Sequence, residues 1–166
     1  TIRNSGSTCT TVAPIQVIIN PIPTITAVVD PQICLGATTA NLTYGATTNS
    51  PNQFSLDFDA AAQAAGFVDV TNAAFAPPAA IVITIPGTAT AATYNANLTV
   101  RNSVTGCVSA VEPIQVIINP NPTVTPGANP SVCSGVTTAL WSYSALAGGG
   151  NQYSIDFDAA AEAQTF

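Results

Sequence analysis

The sequence contains no His, no Lys and no Met, and its only cations are Arg3 and Arg101. Without His or Lys, the usual nucleophile–base arrangements of covalent catalysis cannot form. There is no basic patch to neutralise phosphates, and the net charge is −6, which excludes nucleic acid as a partner. These absences predict a protein that is not an enzyme, takes no cofactor and does not bind nucleic acid.

Charge and long apolar runs are also scarce. Charged residues make up 6% of the chain, whereas a typical soluble domain has about 25%. Hydrophobic residues reach 47%, but many are Ala and Val interleaved with Thr, Asn and Ser, and no run is long enough to span a bilayer. The composition predicts an ordered β-protein with a polar, uncharged surface and no membrane insertion in this segment.

The chain is built on an internal repeat. Residues 14–21 return unchanged as residues 113–120, and 113 − 14 gives a period of 99. The same offset carries Cys34 onto Cys133, and a fixed period indicates a tandem array. With no initiator Met and no signal peptide, we expect a segment of a longer polymer. The expected division is residues 1–20, the C-terminal strands of a preceding repeat; residues 21–119, a complete repeat; and residues 120–166, the N-terminal half of the next repeat.

Short strands between Gly, Pro and Asn turns fill one repeat. Asp59, followed by an Ala-rich run that stops at Gly66, predicts a short helix with an Asp N-cap after the third strand. About seven strands in one period are typical of an immunoglobulin-like sandwich, in which Tyr94 holds the place of a tyrosine corner. The predicted class is all-β, with tandem immunoglobulin-like β-sandwich repeats. The predicted strands cover residues 24–29, 38–44, 54–59, 67–71, 81–85, 94–101 and a last strand that ends at residue 118.

Four sequence elements together resemble a known family. They are Pro-x-Pro-Thr, Cys-x-Gly-x-Thr-Thr, Thr-Val-Arg-Asn-x-x-x-Gly-Cys, and a Val/Ile strand ending in Asn-Pro. The pattern resembles the Ig-like (PKD/HYR-like) tandem repeats of giant Bacteroidota cell-surface proteins, including gliding-motility adhesins and related type IX-secreted proteins. The resemblance implies secretion, display on the cell surface, and a role as adhesin, stalk or fibre. It implies no catalytic residue.

The four cysteines are Cys9, Cys34, Cys107 and Cys133. They lack CxxC spacing and have no His beside them, so a zinc site is not predicted. Two interpretations stay open: disulfides of an oxidising, extracellular setting, or free thiols that pack as small hydrophobes.

The predicted strand order places Cys34 and Cys107 at opposite ends of one sandwich. A disulfide needs Cα atoms within about 7 Å, so pairing these two inside one repeat is disfavoured. In an end-to-end stack, the Cys34 end of one repeat meets the hairpin end of the next. Our hypothesis is a staple between repeats, from Cys34 to the counterpart of Cys107 in the following repeat.

Two aspartates, Asp57 and Asp59, recur as Asp156 and Asp158. Carboxylates two residues apart on a strand lie about 6.5–7 Å apart at the backbone, a spacing compatible with paired-carboxylate glycosidases and with Ca²⁺ ligands. Against catalysis, the pair recurs in each repeat and Asp59 serves as the predicted helix cap. We favour a solvated face plus a cap, with calcium as the alternative.

These patterns favour a structural repeat of a long extracellular surface fibre or adhesin, a stiff and protease-resistant array. The alternative is a ligand-binding adhesion module whose polar loops 45–51 and 145–150 contact glycans or a surface. The expected partners are adjacent repeats of the same chain and copies of itself in a filament, with a glycan or surface ligand in the alternative.

Overall fold

The computed structural model describes residues 1–3, 5–7, 9–26 and 28–159. Strands dominate these residues, which contain one short helix, so the prediction of an all-β chain is confirmed. The elements in chain order are β1 (Ile2–Arg3), β2 (Thr10–Thr11), β3 (Thr24–Thr26), β4 (Gln32–Cys34), β5 (Thr39–Leu42), β6 (Ala46–Thr48), β7 (Gln53–Phe58), α1 (Ala60–Ala64), β8 (Val70–Ala74), β9 (Ile81–Thr84), β10 (Thr93–Arg101), β11 (Glu112–Asn119), β12 (Thr123–Pro126) and β13 (Tyr143–Ala147).

The largest sheet has five strands in the order β4-β11-β10-β7-β8. All neighbours in it are antiparallel except β4 and β11, which are parallel. Alternate residues of β10 and β11 point inward, as the period of 2 in their sequences predicts. The buried side chains are those of Tyr94, Ala96, Leu98, Val100, Ile114, Val116 and Ile118.

The other strands between residues 21 and 119 form two antiparallel pairs, β3 with β6 and β5 with β9. A bridge between Val29 and Thr43 and a hydrogen bond from Gly45 N to Thr26 O connect these pairs. Their buried residues, such as Ile25 and Leu42, belong to the same core cluster as those of the five-stranded sheet. Among the described residues, every member of this cluster lies between residues 25 and 118, inside the 21–119 unit.

Of the first predicted strand, residues 24–29, the structure shows β3 and a bridge from Val29 to Thr43, and Ala27 lies outside the described residues. The chain then changes sheets. β3 pairs with β6, whereas β4 joins β11. At the crossing, Pro31 O accepts a hydrogen bond from Ile117 N (2.9 Å), and Asp30 Oδ1 accepts one from Gln115 N (2.7 Å). Pro31 has no N–H to donate, so the Asp-Pro pair ends one pairing and starts the other.

The prediction of a polar loop over residues 45–51 is wrong for its middle. Residues 46–48 form β6, and Thr24 is opposite Thr48 with their hydroxyls 2.7 Å apart. Three Ala and Thr residues are too short for period-2 alternation to be visible, so only the cross-strand partner reveals the strand. The predicted strand 67–71 also lies later in the chain, as β8 over Val70–Ala74.

The pairing of β12 with β13 reproduces that of β3 with β6. Thr123 is opposite Ala147, and Thr24 is opposite Thr48. Both positions are shifted by 99, the period found in the sequence (123 − 24 = 99; 147 − 48 = 99). The same local hydrogen-bonded arrangement therefore recurs at the start of the following unit.

The pairing of β1 with β2 also has a counterpart. Arg3 is opposite Thr10, and Arg101 is opposite Val108 in an isolated bridge. Both positions are shifted by 98, the offset of this stretch in the sequence (101 − 3 = 98; 108 − 10 = 98). The hairpin before residue 21 therefore repeats the hairpin that ends the 21–119 unit.

Candidate functional site

Asp59 caps the helix that follows β7. Its Oδ1 accepts a hydrogen bond from Ala62 N (2.8 Å), and its Oδ2 accepts one from Asn95 Nδ2 (3.0 Å). Chiefly the Ala62 N–H, and next the Asn95 amide, lower the pKa of this carboxyl below its ordinary value. The predicted Asp N-cap is confirmed, and Gly66 follows the helix at a φ of +101°.

Asp57 and Asp59 both line an open groove of about 430 Å³ on the outer face of the five-stranded sheet. Asp57 is exposed and lies opposite Asn97. Across the strands, Gln115 Nε2 donates to Asn95 Oδ1 (3.1 Å). The groove wall is thus a row of amides and carboxylates at a solvated sheet face.

Asp59 does not have the properties of the acid in a paired-carboxylate hydrolase. Such enzymes hold one carboxyl protonated by raising its pKa, whereas the pKa of Asp59 is lowered. Both carboxylate oxygens of Asp59 already accept hydrogen bonds. The arrangement supports a structural role for Asp59.

The calcium interpretation gains no support from the described residues, in which no group of three or more His, Cys, Asp or Glu is placed to hold a metal ion. In the second copy, Asp156 and Asp158 are exposed and lie outside the strands. Calcium binding by these aspartates stays a prediction.

All four cysteines carry free thiols. No two of them are at bonding distance, so the prediction of disulfides does not hold for any pair within this chain. Cys9, Cys34 and Cys133 are exposed and Cys107 is half-buried. The physical reason is separation: Cys34 is level with Asn119 at the end of β11, whereas Cys107 lies in the hairpin that leads into β11.

At the Cys34 end of the 21–119 unit, hydrogen bonds fix the linker at residues 119–121, through which the chain leaves the unit. Asn119 O accepts a hydrogen bond from Leu35 N (2.9 Å). Two residues later, Asn121 Nδ2 donates to Leu35 O (3.1 Å). The peptide groups of Leu35 therefore fix the start of the following linker.

At the Cys107 end, hydrogen bonds fix the linker at residues 20–22, through which the chain enters the unit. Cys107 Sγ donates to Asn20 O (3.8 Å), and Asn49 Nδ2 donates to Ile22 O (2.7 Å). Asn102 Nδ2 in turn donates to Asn49 O (3.0 Å). The 21–119 unit thus makes hydrogen bonds to the linker before it and to the linker after it.

The sequence analysis did not predict these linker contacts, although the residue type at position 49 is a signal for one of them. Asn49 has a φ of +57°, in the left-handed region that Asn and Gly adopt most readily. Its counterpart at offset 99 is Gly148, with a φ of +70°. An Asn that alternates with Gly at a repeated position is typical of such a backbone conformation.

No family model, no curated protein and no solved structure matches this chain. Within the described part of the chain, no helix has the length and apolarity needed to cross a membrane.

Proposed function

We propose that the 99-residue period is an immunoglobulin-like sandwich that serves as a structural repeat of a long extracellular surface fibre or adhesin. The strand pairing supports the fold: two groups of strands share one core, and the chain switches groups between β3 and β4. Tyr94 supports it too, because its hydroxyl donates to Thr90 O (3.1 Å) and accepts from Thr90 N (3.0 Å). This is the hydrogen bonding of a tyrosine corner.

The observation that carries the proposed function is the position of the two linkers. The chain arrives at Asn20, beside the hairpin that contains Cys107, and leaves at Asn119, beside Cys34. The eight residues of β11 separate these ends by about 25 Å. Units connected at opposite ends extend in a line, which is the arrangement of a stalk or fibre.

Composition supports an extracellular setting. Arg3 and Arg101 are the only sites for trypsin-like proteases in the sequence, and the folded unit has an apolar core. The resemblance to surface repeats of Bacteroidota is part of the same proposal.

The second candidate function is a binding module. The groove beside Asp57 favours it, because its amides and carboxylates offer hydrogen bonds to a hydroxyl-rich ligand such as a glycan. The two loops predicted for this alternative are shorter in the structure, since residues 46–48 lie in β6 and residues 145–147 in β13. The sheet face therefore offers the ligand a second surface beside them.

Surface labelling tests the proposal. Antibodies raised against residues 21–119 should bind intact, unpermeabilised cells that produce the protein. Labelling that appears only after the cells are permeabilised would contradict an extracellular fibre. Glycan-array binding that Asp57→Ala abolishes would favour the binding module.

A further inference from the structure

Asn20 and Asn119 occupy the same position of the repeat, since 20 + 99 = 119. Asn20 lies against Cys107, whose Sγ is 3.8 Å from its carbonyl oxygen. Asn119 lies against Cys34, its partner in the parallel pairing of β11 with β4. The asparagine at this position therefore has two cysteine neighbours. One is Cys34 of its own repeat, and the other is the counterpart of Cys107 in the repeat that follows.

The two contacts converge on one carbonyl group. At the Cys34 end, the oxygen of Asn119 accepts from the N–H of Leu35, the residue after Cys34 (2.9 Å). At the Cys107 end, the carbonyl oxygen of Asn20, the counterpart of Asn119, accepts a hydrogen bond from Cys107 Sγ. Neighbouring strands are about 4.8 Å apart, so both cysteines lie within about one strand spacing of the junction.

We propose that Cys34 of each repeat forms a disulfide with the counterpart of Cys107 in the following repeat, closing a clamp around the linker at residues 119–121. The proposal rests on the proposed function, because it needs consecutive repeats. It explains why the cysteines in this chain are free: the partner of each lies in another repeat. It also explains why both are accessible, since Cys34 is exposed and Cys107 half-buried.

The bond forms by exchange with a small disulfide oxidant such as oxidised glutathione. One cysteine thiolate attacks the oxidant and releases one glutathione, and the second thiolate displaces the other glutathione from the mixed disulfide. The two cysteines lose two protons and two electrons, and the oxidant becomes two glutathione thiols. No other reactant is needed.

Side-chain amides already hold the linker on one side of each junction. At the 119–121 junction, Asn121 Nδ2 donates to Leu35 O of the repeat that the linker leaves. At the 20–22 junction, Asn49 Nδ2 of the repeat that the linker enters donates to Ile22 O, whereas the counterpart of Asn49 in the following repeat is Gly148, which has no side-chain donor. A disulfide added to these contacts restricts bending at the junction, and the array becomes a stiff rod.

The disulfide is tested in a longer chain that contains the missing partner of Cys34. Residues 68–119 are appended after Phe166, which completes the second repeat because 67 + 99 = 166, and the protein is equilibrated with oxidised and reduced glutathione. Free thiols are then alkylated, and the intact mass and the linked peptides are measured. Far-ultraviolet circular dichroism before alkylation reports whether the extended chain is folded.

We expect one new bond, between Cys34 and the appended copy of Cys107. Cys34→Ser should abolish it, whereas Cys133→Ser, which removes a cysteine whose partner is missing, should leave it intact. The 166-residue chain under the same conditions should form no disulfide between two of its own cysteines. Free thiols throughout the folded extended chain, a bond between Cys34 and Cys107 of the same repeat, or glutathione adducts alone would overturn the proposal.

This result is independent of the fibre function. If the thiols stay free while intact cells are labelled, the disulfide proposal is wrong and the fibre proposal is supported. If the bond forms while labelling requires permeabilised cells, the disulfide proposal is supported and the extracellular fibre proposal is wrong.

Discussion

Asp59 shows how one side chain joins three elements of the repeat. It ends β7, caps α1 through Ala62 N, and receives the amide of Asn95 on the neighbouring strand β10. An N-cap removes an unsatisfied donor from the first helical turn. Asp57, two residues earlier, faces solvent on the same strand, and this makes it the natural control for Asp59.

The substitution Asp59→Ala should destabilise the repeat, because it removes acceptors from both the Ala62 N–H and the Asn95 amide. We expect a lower midpoint of urea unfolding for Asp59→Ala and an unchanged midpoint for Asp57→Ala, followed by circular dichroism. Equal effects of the two substitutions would contradict the cap as the reason.

The contribution of Asp59 should also depend on pH. The hydrogen bonds from Ala62 N and then Asn95 lower the pKa of this carboxyl in the folded state, so the ionised form is the one that stabilises. The stabilisation is complete above the ordinary carboxyl pKa of about 4 and is lost as the pH falls through the lower, folded value. The difference in unfolding free energy between the parent and Asp59→Ala should therefore be constant from pH 5 to 7 and shrink toward pH 2. A difference that grows on acidification would contradict this assignment.

Tyr94 is the second residue whose hydrogen bonds can be isolated. Tyr94→Phe keeps the ring against Phe67 (ring centroids 4.8 Å apart) and removes only the hydroxyl that bonds Thr90. We expect a loss of about 0.5–1.5 kcal/mol, the net contribution of a typical hydrogen bond, because Thr90 is exposed and water can replace the hydroxyl. Tyr153→Phe is the control, since Tyr153 is 85% exposed. Urea unfolding of both variants measures the effect, and no loss for Tyr94→Phe would exclude a tyrosine corner.

At the scale of elements, β11 and residues 14–20 have one sequence in two environments. In β11, Ile114 is 2% exposed between strands of the sheet, whereas its counterpart Ile15 is 88% exposed. Residues 12–20 form no strand in this structure. The same alternating pattern is therefore buried only where β4 and β10 are present on either side of it.

This pair gives an internally matched prediction. Ile114→Ala should cost about 2–5 kcal/mol, because it leaves a cavity in the core. Ile15→Ala, with identical local sequence, should change stability by less than about 0.5 kcal/mol in this chain. Unfolding in urea of the two variants measures both values. Similar losses would show that local sequence rather than the surrounding sheet decides the stability.

The elements also show how far the sequence could predict the structure. The alternation at Tyr94, Leu98 and Val100 identified β10, and the Asp59 cap identified α1, because both signals are local. β4 was missed, since its three residues are ordered by parallel pairing with β11, far along the chain. The outer groove was missed for the same reason: Asp57 and Asn97 come together only through cross-strand pairing.

At the scale of the whole molecule, the two linkers decide how the units follow one another. The linker enters beside Cys107 and leaves beside Cys34, and side-chain amides hold it at both ends. The β3–β6 pairing recurs as β12–β13 at an offset of 99, so the following unit begins with the same strand pairing. We propose that repetition of this geometry places the units in a line rather than in a cluster.

Negative-stain electron microscopy of the full-length native protein, with and without reductant, tests this central claim most directly. We predict straight rows of evenly spaced particles, with a spacing no shorter than the nine residues of β10, about 30 Å. Reductant should leave the spacing unchanged and increase bending between neighbouring particles. Compact particles without an axial repeat, in either condition, would contradict the account.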